Sequence, residues 1–236
     1  MDIGVFQGDV PRTGRILAVS GVDGAGKSTV VERLAARLGA TGRIARVSAG
    51  KPQAAWLETL RRRWRNGDDT GEGGEKSRGQ GGCKVRLRDA LSSLVLAVLR
   101  WRLSRHARRL ARAGVTVVAD RWPTLEYGKM DGPRIATGLP GLNGAVLRLL
   151  AGWERAIYRR IEPADIVFHL VVDEQTAIAR NAARVKADKE STQDIVRRFR
   201  DNLDFQPIAH RVERIDNLGT LQEVLAVVER HLEQDR

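Results

Sequence analysis

The 236-residue chain contains one cysteine, Cys83, so no internal disulfide can staple it, which agrees with a reducing compartment. Glycines and a lysine surround Cys83, the setting of a flexible loop and not of an activated thiol. No apolar run is long enough to cross a bilayer, because the most apolar stretch, residues 91–99, is closed by Arg100. Residues 1–14 lack both the basic run and the apolar core of a secretory signal, so a cytoplasmic protein without a membrane partner is expected. There is no internal repeat, no heptad series and no Cys/His spacing of a zinc site. Aromatic residues make up only 5% of the chain. Around the glycine- and charge-rich residues 66–82 only Trp64 could stack on a base, so that stretch reads as a flexible loop and a nucleic-acid partner is disfavoured.

What is abundant is apolar residue and positive charge. With 42% hydrophobic residues the chain can bury a full core, and residues 1–236 read as a single domain. Lys and Arg outnumber Asp and Glu 41 to 29, a net charge of +12. That balance suits polyanionic company, which could be nucleic acid, an acidic membrane or nucleotides, and charge alone does not choose among them.

The most informative stretch is Gly21-Val22-Asp23-Gly24-Ala25-Gly26-Lys27-Ser28-Thr29, placed between the apolar residues 16–19 and a helical pattern from Val30 onward. It fits the phosphate-binding loop G-x-x-x-x-G-K-[ST]. Glycines let backbone N–H groups close around phosphate oxygens, Lys27 reaches the outer phosphates and Ser28 can ligate Mg²⁺. The following helix adds its unpaired N–H groups and dipole.

Residues 15–20 read as a strand built on the continuous apolar run 16–19, the pattern of a strand buried on both faces. A helix over 27–38 and a strand over 44–47 follow, and Lys51 lies in the turn at that strand's ligand-binding edge. Residues 53–65 read as a helix ending in a basic cluster, and residues 84–114 as the longest helix, with Leu87, Leu91, Leu94 and Val98 on one stripe. Arg102, Arg105, Arg109 and Arg112 share another face of it. Residues 115–119 read as a strand ending in Asp120-Arg121, where an NTPase holds its metal and clamps a phosphoryl group. The proline-rich loop 123–142 offers Tyr127, Asp131 and Arg134. A helix over 143–161, a strand over 165–172 with His169 as a core or edge residue, and a helix over 174–190 come next. Arg180 and Arg184 lie one turn apart in the basic segment 180–190, which could close over a nucleotide as a lid. Helices over 191–205 and 220–232 flank a last strand at 212–215.

This succession, with Gly21-x-Asp23-Gly24-x-Gly26-Lys27-Ser28-Thr29, Asp120-Arg121-Trp122 and the flap 180–190, resembles the nucleoside-monophosphate kinases, and thymidylate kinase most. The resemblance implies an α/β P-loop NTPase fold, a five-stranded parallel sheet flanked by helices with a basic lid. It implies ATP and Mg²⁺ on the loop, a small-molecule phosphate acceptor opposite, and a homodimer, in which helix 84–114 could serve as the seam. Asp23 would match the family's acidic loop residue directed at the acceptor sugar, and Gly24 stands where some members carry an arginine, a role Arg180 and Arg184 would take over. The catalytic set is then Lys27, Asp120, Arg121, Arg180 and Arg184, with Ser28 and Asp120 on the metal. The acceptor set is Asp23, Lys51, Arg121, Tyr127, Asp131 and Arg134.

The acceptor half departs from the family. Residues 48–52 do not reproduce the Arg-Glu-Pro-Gly-Gly-like stretch after strand two, and the residues after Asp120-Arg121 lack the Ser and aromatic-Gln pairing that reads thymine. A sugar or another metabolite as acceptor, or a P-loop ATPase switch working with nucleic acid, therefore stay open.

Overall fold

The computed structural model describes residues 14–40, 42–50, 82–138, 141–182, 196, 199–200, 202, 204 and 206–233. In chain order they form β1 (Ile16–Gly21), α1 (Lys27–Gly39), β2 (Ile44–Ser48), α2 (Gly82–Arg112) and β3 (Thr116–Asp120). Then follow α3 (Gly141–Tyr158), β4 (Ala164–Val171), α4 (Glu174–Ala182), β5 (Ala209–Asp216) and α5 (Leu221–Glu233). All pairings among the five strands are parallel, in the order β2-β3-β1-β4-β5.

Every residue of β1 is buried, as expected for the central strand of a sheet covered on both faces. Alternation along the strands then divides the interior. Leu17, Val19, Val118, Ile166, Phe168 and Leu170 face Val30, Val31 and Leu34 of α1 and Val224, Leu225 and Val228 of α5. Ile16, Ala18, Val117, Ala119 and Val167 face Ala107 and Ala111 of α2, with Trp122 closing that layer. A smaller cluster joins α2 to α3 through Ala90, Leu94, Leu147, Leu150 and Ala151.

The chain builds β2 and β3 on one side of β1 and β4 and β5 on the other, so its direction of winding reverses at β1. Such a reversal opens a crevice at the carboxyl ends of the strands, between β1 and β3. The phosphate loop leaves β1 there, and Asp120-Arg121 leaves β3 there.

Several boundaries shift by one to three residues from the sequence reading, and two of the shifts have a local cause. The long helix begins at Gly82, so Cys83, expected in a flexible loop, stands in its first turn. The glycine run ends at Gly82, and Lys84, Arg86, Leu87 and Arg88 soon after it are good helix formers. The last strand extends over Ala209–Asp216 instead of residues 212–215, because β4 pairs with it along its whole length. The expected helix 53–65 and loop 66–81, and residues 183–190 of the lid, lie outside the described residues. Among the described residues no helix is long and apolar enough to cross a membrane.

Candidate phosphate-transfer site

The loop's glycines are each required by backbone geometry. Gly21, Gly24 and Gly26 have φ of 143°, 89° and 78°. A Cβ on Gly21 would meet the Leu170 carbonyl oxygen at 2.5 Å, and one on Gly24 the Ala177 carbonyl oxygen at 2.5 Å. The loop is thus threaded against the end of β4 and the side of α4. Gly26 is the N-cap of α1 without a side-chain cap, and the first turn carries no acidic residue, so nothing in that turn repels an anion. Ala25 is buried, whereas Ser28 and Thr29 are exposed at the mouth.

Lys27 is almost wholly buried. Its Nζ donates to the Val22 carbonyl at 2.6 Å and lies 3.8 Å from Asp23 Oδ1. The lysine is therefore folded onto its own loop. Ser28 Oγ donates to Asp120 Oδ2 at 3.2 Å. The other carboxylate oxygen, Asp120 Oδ1, is buried with no hydrogen-bond partner among the described residues. The Ser28 hydroxyl and the Asp120 carboxylate, with one oxygen unspent, suit Mg²⁺, which takes one or two protein oxygens and fills its octahedron with phosphates and water. No cluster of three or more His, Cys, Asp or Glu able to cage a metal occurs among the described residues.

Arg121 follows β3 with φ of 71°, an unusual value for a side chain other than glycine. Its Nη2 donates to Asp23 Oδ1 at 2.7 Å, and its Nη1 lies 3.5 Å from Asp131 Oδ2 and against Met130 Sδ. Burial works to lower the guanidinium pKa, but the charges of Asp131 and Asp23 outweigh it and hold the pKa above its ordinary value.

Asp131 is itself buried and has φ of 64°. Arg100 of α2, 1% exposed, donates to its Oδ1 at 2.5 Å. The same guanidinium donates to the Ala49 carbonyl at 3.1 Å, the Gly50 carbonyl at 3.5 Å and the Tyr158 hydroxyl at 2.6 Å. The Tyr158 hydroxyl in turn donates a hydrogen bond to the Gly132 carbonyl at 3.0 Å. Burial pushes the Tyr158 hydroxyl above the ordinary phenol range, against the pull of Arg100. Buried Glu154 accepts the N–H groups of Arg134 and Ile135 at 3.1 and 3.0 Å, fixing the loop that carries Asp131. Five side chains, Asp23, Arg121, Asp131, Arg100 and Tyr158, thus link the phosphate loop to α2, α3 and the exit of β2.

Of the residues singled out by sequence, the structure brings together Asp23, Lys27, Ser28, Asp120, Arg121 and Asp131. Tyr127 is 59% exposed and Arg134 is exposed, so neither side chain joins that group. Arg180 Nη1 donates to the Asn217 carbonyl at 3.2 Å, at the flank of the loop. Lys51 and Arg184 lie outside the described residues. His169 is buried in β4, beside Ser20 of β1 and Arg214 of β5.

Arg100, Tyr158, Glu154 and Asn217 escaped the sequence reading. For Arg100 a signal exists: Ala97, Arg100, Ser104, Ala107 and Ala111 recur at three- and four-residue spacing and are all buried, so the arginine stands on the inward face of α2. A concavity of about 650 Å³ lined by Arg15, Arg108, Glu162, Asp165 and His210, and one of about 450 Å³ lined by Asp89, Ser93, Arg134 and Leu147, include no residue of the phosphate loop.

A five-stranded, all-parallel sheet with helices on both faces and a G-x-x-x-x-G-K-S loop at the end of its central strand defines a P-loop α/β protein of the nucleotide-binding class. The chain is 36% identical over 80 residues to the uncharacterized ATP-binding protein YghR of Escherichia coli (strain K12). It matches the protein of the same name in Escherichia coli O6:H1 (strain CFT073) to the same 36%. The match covers 32% of this chain and 31% of each relative, so the chain spans about a third of the length of the curated relatives it matches. No family model matches the chain.

Proposed function

We propose that the protein is an ATP- and Mg²⁺-dependent phosphotransferase resembling thymidylate kinase, moving the γ-phosphoryl group of ATP to a nucleoside monophosphate or a related small acceptor. The observation that carries this reading is the meeting of the two strand ends. Ser28 reaches Asp120 while Arg121, the next residue, reaches Asp23 of the loop. A nucleotide-binding loop alone needs no arginine facing it; a transferred phosphoryl group does. The relatives' name as ATP-binding proteins supports ATP as donor.

In this reading the loop N–H groups and Lys27, once it releases Val22, hold the β- and γ-phosphates. Ser28 and Asp120 would hold Mg²⁺, which when bound neutralises and orients phosphate oxygens. An acceptor oxygen attacks the γ-phosphorus in line, the bond to the β,γ-bridging oxygen breaks, and ADP departs. Arg121 offsets the charge on the moving group, with Arg180 and Arg184 brought in by the lid. Positioning and charge suffice for this chemistry without a covalent nucleophile.

One observation favours a second reading, a neutral hydroxyl of a sugar or another metabolite as acceptor. Asp23 and Asp131 already occupy the Arg121 guanidinium, as a site for an uncharged acceptor would allow. The homodimer of the resemblance is supported by Leu87 and Leu91 of α2 and Leu149 and Trp153 of α3, all at least 38% exposed on two helices that pack together.

ADP release from Mg·ATP, measured across nucleoside monophosphates, nucleosides and sugars, separates the readings. Rapid release with one monophosphate supports the first, and release only with neutral acceptors supports the second. Lys27→Ala should abolish turnover in either case; unaltered turnover would falsify the assignment. Activity that appears only with added DNA or RNA and falls steeply with salt would replace both readings with a nucleic-acid-dependent ATPase.

A further inference from the structure

We infer that Asn217, the residue after β5, is a positioning residue for nucleotide phosphates, acting through the Ala25–Gly26 peptide of the loop. The inference rests on the nucleotide-binding part of the reading above and is independent of the acceptor.

Asn217 is 6% exposed and anchored on three sides. Its backbone N–H donates to the Val171 carbonyl at the end of β4 at 2.8 Å. Its carbonyl accepts from Arg180 of α4 at 3.2 Å. Its side-chain Nδ2 donates to the Ala25 carbonyl at 2.7 Å, in a buried setting. The partner is a carbonyl, so the amide must present its nitrogen, and this fixes its orientation.

A phosphate loop works by turning N–H groups inward, which turns carbonyls outward, where each needs a donor. In a planar trans peptide the C=O and the following N–H point in opposite directions. Holding the Ala25 carbonyl against Asn217 therefore aims the Gly26 N–H the other way, toward the loop's mouth. The amide stands so close that a Cβ on Gly26 would lie 2.9 Å from Nδ2. The glycine before Lys27 is thus demanded twice, by its φ of 78° and by Asn217. Without the amide the Ala25 carbonyl would be buried and unpaired, and the peptide would be free to rotate toward water.

The test is calorimetric titration of the full chain with Mg·ATP, comparing wild type, Asn217→Ala and Asn217→Asp. Val228→Ala, a change in the α1–α5 core far from any role in the site, serves as a control for stability. Wild type and Val228→Ala should bind alike although the latter melts earlier. Both Asn217 variants should bind about tenfold more weakly or worse near neutral pH, the size expected for one buried hydrogen bond. Asn217→Asp preserves shape but presents an acceptor to an acceptor. Relative to wild type at each pH, it should regain affinity as pH falls from about 7 toward about 4, because burial disfavours the introduced carboxylate and the protonated carboxyl can donate again. A merely structural role would not produce that recovery. Unchanged affinity in a folded Asn217→Ala, or an Asn217→Asp profile parallel to wild type, would overturn the inference alone. A wild type that does not bind Mg·ATP would overturn the nucleotide reading with it.

Discussion

Arg121 donates to Asp23 across 2.7 Å, so the residue that follows β3 is bonded to the loop that follows β1. The contact spans the crevice where the winding of the sheet reverses. Arg121 holds a left-handed backbone conformation that costs about 1–3 kcal/mol in a residue other than glycine. Asp23 and Asp131 on either side of the guanidinium offset that cost. A lysine offers one compact charge and cannot span both carboxylates. Arg121→Lys should lower kcat about a hundredfold and shift the thermal midpoint far less, as steady-state ADP release and a melting curve would show.

Arg100 and Asp131 form the buried half of the same network, with side chains 1% and 5% exposed. Removing Arg100 leaves the buried Asp131 carboxylate with only the Arg121 guanidinium 3.5 Å away, at a cost of up to about 3–5 kcal/mol. Arg100→Met should therefore be among the most destabilising single changes in the chain. Arg100→Met combined with Asp131→Asn should recover part of the loss, because the stranded charge is gone. Urea denaturation of both proteins checks the pair, and equal stability of the single and double variants would contradict it.

The strands, helices and phosphate loop were legible because each has a local signature. The apolar run before Gly21 marked β1, and Gly21, Gly24, Gly26 and Lys27 marked the loop by spacing alone. Asp120-Arg121 was legible as a strand end near phosphate. The contacts around these elements were not, since they join residues far apart in sequence. Arg100 meets Asp131 and Tyr158 across 31 and 58 residues, and Asn217 meets Ala25 across 192. Nothing in the local pattern around Asn217 distinguishes it from an ordinary turn residue. Asp131 read as an acceptor residue of the loop 123–142, and only the fold reveals it as a buried ion-pair partner of Arg100.

Two glycines with positive φ separate backbone strain from steric conflict. Gly24 and Gly128 have φ of 89° and 78°, but a Cβ meets the Ala177 carbonyl oxygen at 2.5 Å in the first and nothing within 4 Å in the second. Gly128→Ala should cost only the backbone term, about 1 kcal/mol. Gly24→Ala should cost more and also weaken Mg·ATP binding, since α4 and the loop must move apart. Thermal melts and nucleotide titration of the two variants test the contrast, and equal effects would place the conflict elsewhere.

The two tyrosines of the chain give the network an optical readout, because Tyr158 is buried and Tyr127 exposed. Burial raises the Tyr158 pKa above 10.0, although Arg100 pulls the other way. Stability from its neutral hydroxyl is fully present below the unfolded phenol's value of 10.0 and is lost as pH rises through the higher folded value. Tyr158→Phe removes that titration and also deprives Arg100 Nη1 and the Gly132 carbonyl of a partner. Near neutral pH the variant should be about 1–3 kcal/mol less stable than wild type. The gap should narrow as pH climbs past 10.0, because only the wild type loses the contribution of this hydroxyl. Absorbance at the tyrosinate band, compared between the two proteins, assigns the late titration to Tyr158, and denaturant midpoints over the same range follow the gap. A gap that stays constant to high pH would mean the hydroxyl titrates alike in the folded and unfolded chain.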